Sequence, residues 1–261
     1  MSNHVPLGQE RKVELIGGPS IAGAPIAYII VLAAVVAVLA YVPIPVSAIL
    51  GIGGAFPMSQ AVYPLVGIIL GPGAGALAAG IGRLIGVFLA PHTASTGLLS
   101  TLIAMVTAGS AGLFVQRKGR TWLLAVALFV ISLLAYVGRG LTVDVDLALG
   151  LQSTWVNILG IALWLLPTRG WASSRIADER PGRLTSGLAL ACWIVNTSSY
   201  IFANSLMYNL LFRWPAAQWQ LLTVVAPIEH LFRTIVGTVI GAGVILGLRA
   251  IGAIKPAGAG Y

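Results

Sequence analysis

Residues 62–90 read VYPLVGIILGPGAGALAAGIGRLIGVFLA, and this stretch decides which kind of fold the chain can adopt. Two apolar runs are separated by Gly71-Pro72-Gly73, a combination that turns the chain. After the turn, small residues such as Gly75, Ala79 and Gly82 let neighbouring helix backbones approach closely, as they do inside membranes. We therefore predict a tight helical hairpin within a bilayer.

The composition of the whole chain agrees with a membrane protein. Of 261 residues, 58% are hydrophobic and only 8% are charged, and the mean hydropathy is +0.95. Soluble domains carry about a quarter of charged residues. The composition excludes a disordered tail, a disulfide-stapled secreted domain and a soluble nucleic-acid binder. With one cysteine, Cys192, and three histidines, we expect neither a disulfide nor a metal site, and no cofactor.

Apolar segments recur along the chain, and each is bounded by glycine, proline or charge. They cover residues 23–42, 57–70, 74–90, 98–116, 121–138, 148–167, 185–208 and 223–249. Because several are short, we predict an all-α polytopic transmembrane bundle of about six to eight helices. The predicted organisation is an N-terminal tail (1–22), a single transmembrane domain (23–250) and a C-terminal tail (251–261).

The positive charge indicates how the chain is oriented in the membrane. Cytoplasmic loops are enriched in Lys and Arg, and when the segments alternate, most cations fall on one side: Arg11, Lys12, Arg117, Lys118, Arg120, Arg169, Arg175, Arg180, Arg183, Arg249 and Lys255. We therefore predict that both termini are cytoplasmic, in the plasma membrane. Residues 43–57, which are broken by glycine and proline, are predicted to form a re-entrant or capping loop on the outer side.

Three charged residues lie within the apolar segments: Arg83, Glu229 and Arg233. Each costs at least ~2.5 to 3.5 kcal/mol if it faces lipid, so it must face protein or a wet cavity. At ~1.5 Å per residue, Arg83 and Glu229 lie at a similar depth, roughly 9 to 10 Å from the outer boundary. They form either an ion pair that locks helices, Arg83–Glu229 or Glu229–Arg233, or a ligand-facing group.

Polar residues also form a stripe at successive i+4 spacing in the segment 185–208: Cys192, Asn196, Tyr200, Asn204 and Tyr208. Such a stripe lies along one helical face and does not face lipid. It serves either interhelical hydrogen bonds or a ligand. The candidate substrate-binding residues are therefore Arg83, Trp155, Asn157, Asn196, Tyr200, Asn204 and Glu229, although Trp155 is also consistent with simple packing.

The sequence lacks the enzyme motifs that would suit a membrane protein. Glu229-His230 has no second histidine at the spacing of a zinc protease, and neither a Gly-x-Ser-x-Gly nor a Walker A sequence occurs. We therefore expect a protein that is not an enzyme.

The N-terminal third resembles the substrate-binding S components of energy-coupling factor (ECF) transporters, especially the biotin-type members. The resemblance covers residues 27–89. It rests on Pro43-Ile44-Pro45 after an Ala-rich helix, followed by Val66-Gly67, Leu70-Gly71-Pro72 and Gly75-Ala76.

The resemblance implies capture of a vitamin or related micronutrient from outside, then docking on a coupling transmembrane subunit driven by two ATPase subunits. It implies that Ala33 and Ala37 form the docking face. The chain departs from the family because S components usually have six helices, and because Arg83 stands where many have Asp or a neutral residue. An arginine there suggests an acidic substrate group, since a guanidinium can clamp a carboxylate. The alternatives are a structural or assembly subunit and an ion-coupled secondary transporter.

Overall fold

Helices make up nearly all the regular structure in the computed structural model, which describes residues 19–44, 56–117, 119–211 and 213–261. The helices are α1 (Ile26–Leu39), α2 (Tyr63–Leu70), α3 (Pro72–Leu89), α4 (Leu99–Val115), α5 (Trp122–Leu141), α6 (Leu147–Ser153), α7 (Trp155–Leu165), α8 (Thr168–Ile176), α9 (Pro181–Leu210) and α10 (Ala216–Ala250). Two-residue strands, β1 (Ser20–Ile21) and β2 (Ala24–Pro25), form a small antiparallel hairpin before α1. The predicted all-α fold is confirmed.

Several helices are long and apolar enough to cross a bilayer. Within the described ranges these are α3, α5, α9 and α10, and the pair α6–α7, bent by 64°, counts as a fifth if it is one broken span. The shorter apolar helices α1 and α4 lie beside them. The protein is therefore a multi-pass helical membrane protein.

Two predicted segments differ from a simple span. The segment 57–70 yields α2, which has only eight residues, or about 12 Å, and is buried along its whole length. It ends at Gly71, whose φ of 84° suits glycine, and Pro72 begins the next helix. The segment 148–167 breaks at Thr154 into α6 and α7. The Gly71-Pro72-Gly73 turn predicted the first interruption, whereas nothing in the apolar composition predicted the second.

The hairpin of α2 and α3 packs backbone against backbone. A Cβ added at Gly75 would lie 2.7 Å from the Cα of Gly67, and one at Gly112 of α4 would lie 2.6 Å from the Cα of Pro72. Real Cβ atoms do not approach this closely. The small residues therefore bring α2, α3 and α4 together, as the sequence predicted.

The positively charged stretches after α4, around α8 and after α10 meet at one end of the bundle, which we term the basic end. Arg117 donates a hydrogen bond to the carbonyl of Ser173 (3.1 Å), and Arg249 donates to the carbonyls of Ile176 and Asp178. The C-terminal residues 251–261 fold back onto this end. There the backbone N–H of Gly260 bonds to the carbonyl of Ile68 (2.9 Å).

Candidate functional site

A narrow pocket with a cavity volume of about 30 Å³ lies between α2, α4, α9 and α10. Its walls are formed by Phe56, Gln60, Tyr63, Thr96, Ile103, Thr107, Asn196, Ser199, Tyr200, Ala203, Met207 and Arg233. Asn196 and Met207 are about 16 Å apart along α9, at ~1.5 Å per residue. The pocket therefore extends from the end opposite the basic end to the middle of the bundle.

The polar stripe on α9 contributes part of this wall. Asn196 and Tyr200 line the pocket, together with Ser199, which bonds to Thr107 across the gap to α4 (3.1 Å). Asn204 is buried one turn further along, but it lies outside the pocket wall. The i+4 spacing thus brings two of the three predicted residues of this helix to the pocket.

Glu229 and Arg233 form an ion pair one turn apart in α10, with 2.5 Å between Oε1 and Nη2. Both residues are buried, at 2% and 3% exposure. The Arg233 guanidinium lies 5.1 Å from the centre of the Tyr200 ring, within the range of a cation–π contact. Of the two pairings left open by the sequence, the structure shows the one within α10.

Arg83 is also buried, at 1% exposure, but it has no carboxylate partner among the described residues. Its Nε donates to the Ser100 hydroxyl and its Nη2 to the Thr93 carbonyl, both at 2.9 Å. Arg83 does not line the pocket. Its partner Ser100 lies in the chain between Thr96 and Ile103, which do line it, so Arg83 lies behind that part of the wall. The guanidinium therefore ties α3 to the beginning of α4.

The interior of the bundle carries an excess positive charge. In the described part of the chain, the acidic residues Asp144, Asp146, Asp178 and Glu179 lie outside the apolar helices, and only Glu229 lies inside one. Glu229 compensates Arg233, so Arg83 has no buried counter-charge among the residues that the structure describes. Tyr63, in the pocket wall, lies within electrostatic range of both arginines. Arg83 is therefore a buried positive charge beside the pocket wall, held there by Ser100 and Thr93.

Several polar atoms of the pocket walls have no hydrogen-bond partner in the part of the chain that the structure describes. They include Asn196 Nδ2, Gln60 Oε1 and Arg233 Nε. A buried polar atom left unpaired costs about 1 to 3 kcal/mol. Such atoms also occur away from the pocket, for example Tyr136 Oη and Trp219 Nε1, so those in its walls are positions that a ligand or ordered water can satisfy. In the same described part, no His, Cys, Asp and Glu side chains group together as a metal site.

Trp155 and Asn157 have contacts that hold helices together. The Trp155 indole N–H donates to the carbonyl of Thr223 in α10 (3.1 Å). This carbonyl does not receive the usual helical bond, because Pro227, four residues later, has no N–H. Asn157 Nδ2 bonds to the carbonyl of Thr197 (2.8 Å). Trp155 is 43% exposed, and neither residue lines the pocket.

The predicted docking residues Ala33 and Ala37 are buried against α3. A Cβ added at Gly82 of that helix would collide with the carbonyl oxygen of Ala33. One added at Gly86 would lie 2.6 Å from the Cβ of Ala40, three residues after Ala37. The open face of α1 instead carries Ile30 and Val31, with Val38 further along. The two alanines therefore offer no free surface in the described structure.

The predicted capping loop begins and ends beside the pocket. The backbone N–H of Ile44 bonds to the carbonyl of Phe56, and that of Met58 to the carbonyl of Val42, both at 2.7 Å. Phe56 itself lines the pocket. Residues 45–55, which form most of this predicted loop, lie outside the described residues.

Sequence reasoning missed the contribution of the stretch before and within α2. Gln60 and Tyr63 line the pocket, but they lie in an apolar segment with no polar periodicity. The Tyr63 hydroxyl bonds to Ser59 (3.1 Å), four residues earlier. Arg233 carried a usable signal, a charge within an apolar segment, but the sequence did not show that it, rather than Arg83, lines the pocket.

The fold and the pocket define a multi-pass helical membrane protein with a polar pocket inside its bundle. No protein-family model matches the chain, and neither the curated proteins nor the solved structures that were compared give a match.

Proposed function

We propose that this protein is the membrane-embedded substrate-binding subunit of an ECF-type transporter, which takes up a vitamin or a related small micronutrient. The observation that carries the proposal is the pocket with unpaired polar atoms, Asn196 Nδ2 and Gln60 Oε1, in the middle of the bundle. The resemblance of residues 27–89 to S components supplies the type of transporter. On this proposal the basic end lies in the cytoplasm of the cell, and the pocket opens outward.

The chemistry of the walls favours a partly polar organic ligand with an acidic group. The amides of Asn196 and Gln60 suit hydrogen bonds, and the ring of Tyr200 suits stacking. The uncompensated charge of Arg83 favours an anion, by its field rather than by the direct clamp that the sequence suggested. Ligand pockets usually span about 300 to 1,000 Å³. This cavity of about 30 Å³ is much smaller, so it must widen when a vitamin-sized molecule enters.

The energy for uptake would come from partners: a coupling transmembrane subunit and two ATPase subunits. Docking would then use the open face of α1 with Ile30 and Val38, since Ala33 and Ala37 are covered by α3. Purification of the protein from its native membrane, followed by mass spectrometry, tests this part. Co-purification of an ATPase and a second membrane subunit is the expected result.

The binding step is tested with the purified protein and a panel of water-soluble vitamins and their precursors. A compound at 100 times its Kd stabilises the folded state by about 2.7 kcal/mol, which thermal unfolding detects. Asn196→Ala should abolish the stabilisation. Asn209→Ala is the matched control, because Asn209 lies on the same helix but is exposed and bonds to Ser205. Equal stabilisation of both variants, or a folded protein that no compound stabilises, would contradict the proposal.

A second candidate, a structural or assembly subunit, is favoured by the bonds of Arg83 to Ser100 and Thr93, which tie α3 to the beginning of α4. The Glu229–Arg233 pair, which neutralises both charges within α10, agrees with it. It predicts no ligand and leaves the unpaired wall atoms without a role. An ion-coupled transporter would need Glu229 as its protonated site, but this carboxylate is held by Arg233.

A further inference from the structure

Three cationic side chains come together at the basic end of the bundle, far from the central pocket. Lys255 of the C-terminal segment lies within electrostatic range of Arg249, at the end of α10, and of Arg117, after α4. Partial burial lowers the pKa of Lys255, and the two guanidiniums lower it further. Lys255 lines one groove together with Arg117 and another together with Arg249, so both arginines lie beside it.

The two arginines are fixed in place without being neutralised. Arg249 donates to the carbonyls of Ile176 (2.7 Å) and Asp178 (2.8 Å), and Arg117 donates to the carbonyl of Ser173 (3.1 Å). Because these acceptors are backbone carbonyls, the bonds orient the guanidiniums but leave their charge uncompensated. An anion at this position would bind to a preformed group of cations.

Two open grooves flank Lys255. Arg117 lines the first groove, and Arg249 and Leu248 line the second. Glu179 also lies along the second groove, where it is exposed and forms no ion pair with any described residue. The cluster with its neighbouring carboxylate therefore keeps a net charge of about +2.

An apolar crevice of about 530 Å³ continues from the second groove, with which it shares Leu248. It lies between α1, α2 and α10 and is lined by Tyr28, Val31, Leu32, Ile69, Val244 and Leu248. Val31 is 59% exposed on the apolar surface of the bundle. The crevice thus offers hydrocarbon a path that begins beside the cationic cluster.

We infer that this region binds an anionic phospholipid, with its phosphate group at Lys255, Arg117 and Arg249 and one acyl chain in the crevice beside Leu248. A basic group next to an apolar crevice at the end of a membrane bundle matches both parts of such a lipid. Neither feature alone would select a lipid over a free phosphate or a neutral detergent. This site does not depend on the transport function proposed for the central pocket.

Native mass spectrometry of the detergent-purified full chain tests the lipid site, with phosphatidylglycerol and phosphatidylcholine of identical acyl chains as probes. We expect the protein to retain phosphatidylglycerol preferentially. Lys255→Gln should weaken its retention about fivefold, the effect of one basic residue near a lipid surface. Arg120→Gln is the matched control, because Arg120 is exposed at the same end but lines neither groove.

Two further arms separate the lipid from other ligands. Val244→Trp fills the crevice without changing the charge, and it should weaken retention of phosphatidylglycerol while thermal unfolding shows an intact fold. Millimolar inorganic phosphate should not displace the lipid. Equal retention of the two lipids, equal losses in Lys255→Gln and Arg120→Gln, or displacement by phosphate would overturn the inference.

Discussion

Removing the carboxylate of Glu229 should strongly destabilise the protein. Glu229→Gln preserves the size of the side chain but leaves the guanidinium of Arg233, which is 3% exposed, without its partner. Breaking a buried ion pair from one side costs about 3 to 5 kcal/mol. Since each 1.4 kcal/mol is a factor of ten, the unfolding equilibrium should shift by about two to nearly four orders of magnitude.

The matched comparison removes both charges at once. Glu229→Leu combined with Arg233→Met should recover most of the lost stability, because apolar side chains of similar volume often replace a buried pair without loss. Unfolding in mixed micelles of increasing sodium dodecyl sulfate content, followed by tryptophan fluorescence, measures both changes. A cost below about 1 kcal/mol for Glu229→Gln would refute the argument that the pair is buried and that Arg233 depends on it.

Three other predictions concern packing and pH. Gly75→Ala should lower the free energy of unfolding by about 1 to 3 kcal/mol, because its methyl group would meet the backbone of α2 at 2.7 Å. Gly243→Ala, which has open space around it, should raise the free energy of unfolding by about 0.5 to 1 kcal/mol. Thermal unfolding of both variants measures these changes. Trp164→Ala should cost about 3 to 5 kcal/mol in the same assay, because the indole is buried, and a change below 1 kcal/mol would contradict this. The backbone N–H of Arg180 lowers the pKa of Asp178, so this carboxylate stabilises the fold above its ordinary pKa of about 3.9 and the stabilisation is lost as the pH falls through the lowered value. Between about pH 5 and pH 2, the Asp178→Asn variant should therefore lose less stability than the wild type. Equal losses in the two proteins would argue against this role of Asp178.

The course of the helices was largely predictable, because apolar length and small-residue spacing are local properties of the sequence. The turn at Gly71 and the close packing at Gly75 follow from residue type alone. The break between α6 and α7 was not predicted. There the Thr154 hydroxyl bonds to the carbonyl of Gly150 (2.8 Å), and hydropathy carries no signal for such a competition between side chain and backbone.

The pocket was predictable only where one helix supplies a periodic signal. The stripe on α9 identified Asn196 and Tyr200, which line the pocket. Gln60 and Tyr63 come from a buried segment in which nothing distinguishes the face toward α9. Whether Arg83 or Arg233 lines the pocket depends on which helices pack beside each of them. Helix packing, and not position in the chain, decides this.

The bond from Trp155 to the Thr223 carbonyl, which Pro227 leaves free, bears on how the protein is assembled during synthesis. Thr223 lies at the start of the apolar segment 223–249, and in an isolated α10 its carbonyl would rely on the polar boundary of the membrane for a partner. Because α7 precedes α10 in the chain, Trp155, whose indole N–H donates to the Thr223 carbonyl, is synthesised first. The proline therefore gives α10 a bond to a helix that is already in the membrane, which favours a fixed order of assembly.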